Sequence, residues 1–405
     1  MVKALQIDPR DNVLVALSEL APGDPVTWNG SSFPVADRIP VKHKLAATAL
    51  ETGDEVTMYG VLVGKATQPV ARGALLHTHN LVHAARSFGV KNHRGQPSWQ
   101  GPDVSRWQDR RFRGYRREDG RVGTCNSWIV LPLVFCENRN LKAMENAMAR
   151  SLGYELSSTY EEFTTHLVKA HRHGAPEAQF SKLQLATAKH LPSKDRVFPN
   201  VDGIQFLVHE GGCGSDRGDS DALCGLLAGY ATHPNVAGVT VFSLGCQHST
   251  ASKLEEEIAR RDPHFAKPLL IFEQQNHGSE QALMEAAIRE TFLGMRKANE
   301  WEREDCRLGE LCLGVKCGGS DGFSGISANP AIGSVADRIV ALGGRVILAE
   351  FPELCGVEPE LIRRCVDRKS AERFVQLMRR YASRVEAAGS PRRGPNCRPM
   401  RCATS

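Results

Sequence analysis

From about Asn126 the chain alternates between short apolar segments and longer amphipathic segments. Trp128–Phe135 is apolar almost throughout, and Asn140–Leu152 then carries apolar residues at helical spacing. The same pairing recurs, with strands predicted at 201–208, 236–244, 268–272, 311–316 and 345–349, and helices at 221–231, 250–261, 279–301, 332–342 and onward to about 387. Buried strands that alternate with helices of this length indicate an α/β domain with a largely parallel sheet.

The N-terminal part of the chain has a different pattern. Residues 1–70 contain short alternating stretches such as Val56–Leu62, broken by Gly, Pro and the turn Asn29-Gly30. This pattern predicts a small all-β module. Residues 91–117 then carry Gly, Pro, Trp and many Arg, which is typical of a linker. We therefore expect a β domain at 1–95, a linker at 96–117 and the α/β domain at 118–388.

Two further segments depart from the alternation. Residues 153–200 are polar, contain several His and are mostly helical in pattern, so we interpret them as an insertion in the α/β domain. The end of the chain, 389–405, holds four Arg and three Pro without any acidic residue. This composition predicts a disordered basic tail.

Composition excludes several classes of protein. The 405 residues include 51 Lys and Arg against 46 Asp and Glu, and this net charge of +5 is too small to indicate a nucleic-acid partner. No apolar run approaches the roughly 20 residues that span a bilayer, and no signal peptide is visible, so we expect a cytoplasmic protein without a membrane partner. Twelve Cys in such a chain are read as thiols or metal ligands rather than as a disulfide framework.

A group of histidines is the first candidate for chemistry. His77, Thr78, His79 and Asn80 are consecutive, and on an extended backbone the two imidazoles point to one face. Neutral imidazoles are metal ligands and also bases near neutral pH. The competing interpretation is a solvated loop. His43-Lys44, in a predicted turn, means little alone because such residues are common in turns.

The second candidate is a set of thiols at strand ends. Cys213, Cys246 and Cys317 each follow a predicted strand in a Gly-rich loop. In an open α/β sheet, ligands bind beyond the carboxyl ends of the strands, where these thiols would converge. Three thiolates suit an iron–sulfur cluster, whereas a single Fe²⁺ prefers His and carboxylate oxygens. The alternative is that each Cys is a small buried apolar residue.

The loop after Cys317 has the composition of an anion-binding loop. Gly318 and Gly319 leave backbone N–H groups accessible, Ser320 and Asp321 add polar side chains, and Asn329 lies at a predicted helix start. The loop lacks the Lys-Ser/Thr of a P-loop and the spacing of a dinucleotide fingerprint, so a nucleotide is not favoured.

Together these strings resemble the altronate dehydratase/galactarate dehydratase family, above all Cys317-Gly318-Gly319-Ser320-Asp321-Gly322 with Ser324-Gly325 and Ala328-Asn329-Pro330. The resemblance runs to about residue 385 and implies an N-terminal SAF domain of the β-clip type at about 1–95. It implies a hydro-lyase that converts a sugar acid to a 2-keto-3-deoxy acid with Fe²⁺ or Mn²⁺, or with an iron–sulfur cluster. The resemblance supports these positions, and residue type suggests the roles: as catalytic groups, His77, His79 and Asp321; as substrate-binding groups, His43, Lys44, Asn80, Gly318, Gly319, Ser320 and Asn329; and as metal ligands, Cys213, Cys246 and Cys317.

The string His77-Thr78-His79-Asn80 favours D-altronate as the substrate within this family. Galactarate and (2R)-sulfolactate are the alternatives. The family continues through NPSPGN-like and TGRGTP-like strings that this sequence lacks, so we expect a C-terminal truncation. Two other hypotheses stay open, an inactive remnant that binds a sugar acid and an SAF-type binding module with structural cysteines. A homo-oligomer is also compatible with the sequence.

Overall fold

The computed structural model describes residues 3–95, 99–154, 159–185, 196–214, 216–316, 318 and 322–388. The chain divides into two compact units, one comprising Met1–Gln108 with Leu311–Ser405 and the other Asp109–Glu310. The range predicted as a β domain falls in the first unit, and the range predicted as an α/β domain is divided between the two. No helix in the described ranges is long and apolar enough to cross a membrane.

The first unit begins with nine short strands. They are β1 Ala4–Leu5, β2 Val13–Ala16, β3 Pro25–Trp28, β4 Ser31–Pro34, β5 Lys44–Ala46, β6 Glu55–Met58, β7 Val61–Ala66, β8 Leu75–Leu76 and β9 Leu81–His83. They form antiparallel sheets in the orders β1-β2-β5-β8, β3-β4 and β6-β7-β9. The predicted all-β module is confirmed.

Strand β2 organises the interior of this module because all four of its residues are buried. Leu14 packs into one apolar cluster with Leu20, Ile39 and Leu45. Val13 and Val15, on the opposite face of the strand, pack into a second cluster with Val56 and Leu76. Alternation of side chains along a strand therefore lets one short segment serve two cores.

The second unit contains a parallel sheet and a smaller antiparallel one. The strands of this unit are β10 Arg111–Arg116, β11 Val122–Gly123, β12 Ser127–Pro132, β13 Gly203–Phe206, β14 Val236–Ser243, β15 Leu269–Glu273 and β16 Glu304–Arg307. The order β13-β12-β14-β15 is parallel throughout. Its helices are α1 Asn138–Ser151, α2 Thr159–Arg172, α3 Glu177–Phe180, α4 Arg217–Ala231, α5 Ala251–Arg261 and α6 Glu280–Ala298. The predicted parallel α/β architecture is confirmed.

Helices cover both faces of this sheet. Trp128 and Val130 of β12 pack against α1 and α6, whereas Ile129 and Leu131 pack against α4 and α5. Every residue of β12 and β14 is buried, which explains why these strands are continuous apolar runs. Trp128 is fully buried, and its indole Nε1 donates to Thr240 Oγ1 at 2.9 Å, so its polar atom is satisfied.

The range predicted as a linker, 96–117, differs from that prediction at its C-terminal end. There β10 pairs with β11 and β16 in an antiparallel sheet. Its arginines are exposed and form ion pairs, among them Arg113 with Asp305 at 3.2 Å and Arg116 with Glu310 at 2.7 Å. The Arg-rich composition is therefore that of an exposed, charged strand.

The chain then returns to the first unit. There β17 Cys312–Val315 and β18 Arg345–Leu348 form a parallel pair, with α7 Ala328–Ala341, α8 Glu358–Arg364 and α9 Arg368–Ala387. Ile362, Ala371 and Val375 form a small core against Phe88 and Val90 of the N-terminal part. The predicted strands and helix of this region are confirmed. The predicted tail, 389–405, lies outside the described residues, as do parts of the predicted insertion.

Candidate functional site

The pairing of β5 with β8 brings two of the predicted histidines together. These strands are antiparallel, with Lys44 opposite Leu76. His43, which precedes Lys44, therefore lies beside His77, which follows Leu76. Their ring centroids are 6.2 Å apart and the rings are nearly parallel, at 7°. This pairing between residues distant in sequence is not visible in the local pattern of either segment.

His79 continues the row. Its ring centroid lies 5.9 Å from that of His77. The rings are neighbours because the chain turns at 77–80, where the Asn80 N–H donates to the His77 carbonyl oxygen at 3.1 Å. The extended backbone assumed from the sequence is not what places them. We call His43, His77 and His79 the imidazole row.

Asn80 holds this turn in place. Its side chain is buried, with Oδ1 accepting from the His77 N–H at 2.9 Å and Nδ2 donating to the Leu75 carbonyl oxygen at 2.8 Å. Asn80 was predicted to bind substrate, but its acceptor and one of its donors are engaged by the backbone. In this structure the residue positions His77.

His77 also has a partner at its ring. Thr78 Oγ1 lies 3.0 Å from His77 Nδ1, so Nε2 is the ring nitrogen left to face a ligand. His77 is half-buried and His79 is exposed. The row therefore presents its imidazoles at the surface of the β module.

The segment that follows the Cys-Gly-Gly-Ser-Asp string packs beside this row. Lys42, adjacent to His43, places its ammonium 5.0 Å from the centre of the Phe323 ring. A Cβ at Gly325 would lie 2.4 Å from the Tyr59 hydroxyl oxygen, so the backbone at Gly325 lies in close contact with Tyr59. The turn at 322–327 is thus fixed against the β module.

Part of the predicted anion-binding loop can be placed. Gly318 is exposed, and Asn329 lies in the first turn of α7, where its N–H donates to the Ser324 carbonyl oxygen at 2.8 Å. Cys317, Gly319, Ser320 and Asp321 lie outside the described residues, and their predicted roles stay predictions.

A charged pair follows the two parallel strands of this unit. Lys316 comes directly after β17 and Glu350 two residues after β18, with Nζ and Oε2 3.6 Å apart. Glu350 has a left-handed backbone, with φ 65°, which is uncommon for a residue other than glycine. Sequence reasoning did not single out Lys316 or Lys42, because isolated lysines carry no motif.

In the second unit, Cys213 and Cys246 follow β13 and β14, and both are exposed free thiols. Gly212, with φ 100°, passes so close to the residue after β12 that a Cβ there would lie 2.2 Å from the Leu133 carbonyl oxygen. This contact fixes the loop that carries Cys213 at the carboxyl edge of the parallel sheet.

A polar network that the sequence did not predict lies at the same edge. Ser243 Oγ donates to Glu273 Oε2 at 3.0 Å and accepts from Gln247 Nε2 at 2.7 Å. Gln247 Oε1 in turn accepts from the Gly245 N–H at 2.7 Å. These bonds hold the loop that carries Cys246, and they join the ends of β14 and β15.

Among the residues that the structure describes, no three His, Cys, Asp or Glu side chains are arranged to hold a metal ion. The nearly parallel rings of His43 and His77 explain this for the imidazole row, since parallel rings do not converge on one point. The described residues therefore do not by themselves fit a resident metal. A shared site of Cys213, Cys246 and Cys317 stays a prediction.

Three family profiles match this chain and define its class. A family profile described as "Altronate/galactarate dehydratase SAF domain" matches residues 2–84. Profiles for the second domain, "D-galactarate dehydratase/Altronate hydrolase, second domain", and for "D-galactarate/Altronate dehydratase, C-terminal" match residues 114–299 and 308–399. The chain thus combines an SAF domain with the two further domains of these dehydratases, in order.

Curated relatives agree with this assignment. Altronate dehydratase of Bacillus subtilis (strain 168) is 29% identical over 378 residues, which are 93% of this chain and 66% of that protein. Altronate dehydratase of Escherichia coli (strain K12) is 27% identical over 390 residues, 96% of this chain and 68% of that protein. Galactarate dehydratase (L-threo-forming) of Escherichia coli (strain K12) is 24% identical, covering 93% of this chain and 64% of that protein. The chain belongs to the altronate/galactarate dehydratase family, and it spans about two thirds of the length of these relatives.

Proposed function

We propose that this protein is a hydro-lyase that dehydrates a sugar acid. Membership of the family supports the reaction type. The observation that carries the proposal is the imidazole row, with Lys42 and Lys44 adjacent to it and the 322–327 turn packed beside it. Bases next to cations are what removal of a proton from C2 of a carboxylate requires.

The proposed chemistry balances as an elimination of water. His77 or His79 removes the proton from C2, and the electron pair forms the C2–C3 double bond as the hydroxyl leaves C3. A protonated group gives that hydroxyl a proton, so that water departs. The enol then tautomerises to the 2-keto-3-deoxy acid. His79 is exposed and His77 keeps Nε2 available, so each can meet a substrate.

The carboxylate of the substrate becomes more negative as the proton leaves, because charge spreads into an enediolate. Lys44 is half-buried and follows His43 in the chain, and a half-buried ammonium attracts an anion more strongly than one in bulk water. We propose that Lys44, with His43, holds this carboxylate. The Gly318 backbone, Ser320 and Asn329 would then bind the hydroxyl groups.

Fe²⁺, or Mn²⁺, remains our proposal for the cofactor, with an iron–sulfur cluster as the alternative. Imidazoles and thiolates suit iron, which would act as a Lewis acid on the carboxylate. Since the described side chains do not form a ready set of ligands, the roles of the residues above are assigned without placing the metal. Iron and acid-labile sulfide measured in anaerobically purified protein would separate an ion, a cluster and neither.

For the substrate we propose D-altronate, giving 2-keto-3-deoxy-D-gluconate. The two relatives named altronate dehydratase are 29% and 27% identical to this chain, against 24% for the galactarate enzyme. A relative named (2R)-sulfolactate sulfo-lyase subunit beta, of Chromohalobacter salexigens, is 27% identical over 68% of this chain and keeps sulfolactate as a second candidate.

The experiment is an anaerobic assay of the purified chain with Fe²⁺ against altronate, galactarate and (2R)-sulfolactate. A keto acid formed from altronate at the highest kcat/KM is the expected result. Sulfite release from sulfolactate would favour the second candidate. Binding of sugar acids without any product would instead support a catalytically inactive sugar-acid-binding protein.

A further inference from the structure

The first unit contains a cavity that the proposed reaction does not use. Its volume is about 560 Å³, which is within the range of small-molecule sites. No residue of the imidazole row lines it. The charged residues that do line it are Arg10, Arg86, Lys91, Arg94, Arg363 and Glu360. We call it the basic cavity.

The cations outnumber the acids around this cavity. Arg10 is paired with Asp8 at 2.8 Å, Arg86 with Glu55 at 3.4 Å. Glu360 is the single carboxylate among the described lining residues, and it already accepts from Arg363 at 2.7 Å and from Arg364 at 2.9 Å. The acids near the cavity are therefore engaged.

Lys91 and Arg94 account for the excess charge. Neither has an ion pair or a side-chain hydrogen bond within the part of the chain that the structure describes, and both are exposed. Cationic side chains that converge on one concavity repel each other, and a bound anion relieves that repulsion.

The wall that carries these two residues is anchored. Phe88 and Val90 pack into the small core formed by Ile362, Ala371 and Val375. His93, which lies between Lys91 and Arg94, places Nε2 3.1 Å from the Cys365 carbonyl oxygen. Lys91 and Arg94 therefore lie on a segment that packs against α8 and α9, which holds both positive charges at the wall of the cavity.

We propose that the basic cavity binds a small anion that carries two or more closely spaced negative charges. Guanidinium and ammonium groups bind phosphate and carboxylate oxygens alike, so the shared chemistry is that of a compact polyanion. An organic phosphate or a polycarboxylate has this chemistry, and a singly charged sugar acid does not. The site is separate from the imidazole row and does not depend on the proposed reaction.

The test is calorimetric titration of the full chain with pyrophosphate, with citrate and with gluconate at constant ionic strength. Pyrophosphate represents the phosphate class and citrate the polycarboxylate class, and gluconate is the singly charged control. We expect saturable binding of pyrophosphate, citrate or both, and no measurable binding of gluconate in the same range.

Two double variants locate the site. K91A/R94A should weaken binding of the polyanion at least about tenfold, since two charge-assisted contacts are lost. R379A/R380A removes the same charge from exposed positions on α9 of the same unit, and its dissociation constant should stay within about twofold. The single variants K91Q and R94Q remove one positive charge each and keep a polar side chain, and each should weaken binding by a smaller factor.

Several results would overturn the proposal. These are no binding of either polyanion by the wild type, equal affinity in K91A/R94A and the wild type, and equal weakening in the two double variants. Melting temperatures of the unliganded variants show whether each is folded. Because the readout is binding, a failure here leaves the proposed reaction unaffected.

Discussion

Asn80 shows how a single side chain can organise the candidate site. A motif of two histidines and a following Asn predicts ligands of a metal or substrate, and the imidazoles do lie side by side. The sequence could not predict that the Asn80 side-chain amide hydrogen-bonds to the backbone of its own turn, because those bonds depend on the backbone path at 75–80. The same holds for Lys42, whose contact with Phe323 joins residues far apart in the chain.

Two substitutions at Asn80 measure the contributions of its two hydrogen bonds to stability. N80A leaves the His77 N–H and the Leu75 carbonyl without their partner and should lower the free energy of unfolding by about 2 to 3 kcal/mol. N80D keeps the acceptor for the His77 N–H and should lose roughly half of that. Urea unfolding measures both. If N80A unfolds at the wild-type midpoint, Asn80 does not hold the turn.

Glu137, between β12 and α1, gives a prediction about pH. The carboxyl is 1% exposed, and its burial raises its pKa above the usual value despite the hydrogen bond that Asn140 donates at 2.7 Å. A raised pKa in the folded state means that stability present at low pH is lost as the pH rises through that pKa. E137Q, which keeps the acceptor for Asn140, removes this loss.

We therefore expect E137Q to become progressively more stable relative to the wild type as the pH rises above about 4, the ordinary pKa range of a glutamate carboxyl. Urea unfolding at a series of pH values measures the difference. A constant difference between the two proteins would show that Glu137 does not titrate differently in the folded and unfolded states.

At the scale of elements, the alternation of apolar strands with amphipathic helices predicted the second unit well. Its central strands β12 and β14 are buried along their whole length, so each appears as a nearly continuous apolar run. The order of the strands and the pairing of Lys44 with Leu76 were not predictable, because pairing partners lie far apart in sequence. The sequence predicted a linker where β10 lies because this strand has few apolar residues. Its arginines form ion pairs with acidic residues far away in the sequence, which no local pattern shows.

Two glycine substitutions test how closely the loop after β13 packs against the end of β12. G212A adds a Cβ 2.2 Å from the Leu133 carbonyl oxygen, at a position whose positive φ already disfavours any residue but glycine. It should lower the free energy of unfolding by about 3 kcal/mol or more. G214A is the matched control, because Gly214 also has a positive φ, 76°, but has nothing within 4 Å of its Cβ position. It should cost about 1 kcal/mol. Equal losses in urea unfolding would mean that the close approach to β12 is not maintained.

For the whole molecule, residues 311–388 group with the N-terminal β module rather than with the parallel sheet. The alternating pattern continues through this region, so the sequence suggested one α/β domain where the structure divides it. The consequence for function is that the segment after the Cys-Gly-Gly-Ser-Asp string and the imidazole row belong to the same unit. Family membership could be foreseen from the motifs, because those strings are long and local.

The proposed Fe²⁺ is tested on the whole protein. Anaerobic purification, treatment with a chelator and reconstitution should abolish and then restore activity, with about one iron per chain if a single ion is bound and more if a cluster forms. Activity that survives complete removal of metal would contradict the proposed cofactor and leave the acid–base chemistry of the imidazole row in place.

The central claim is that the imidazole row performs the chemistry, and the most direct measurement is kcat for altronate in three matched variants, H77N, H79N and H83N. His83 is an exposed histidine of the same β module, outside the row, with Nδ1 3.1 Å from the Val63 carbonyl oxygen. We predict that H77N or H79N loses at least about 100-fold in kcat at an unchanged melting temperature, while H83N stays within about twofold. Equal activity in all three variants would contradict the claim.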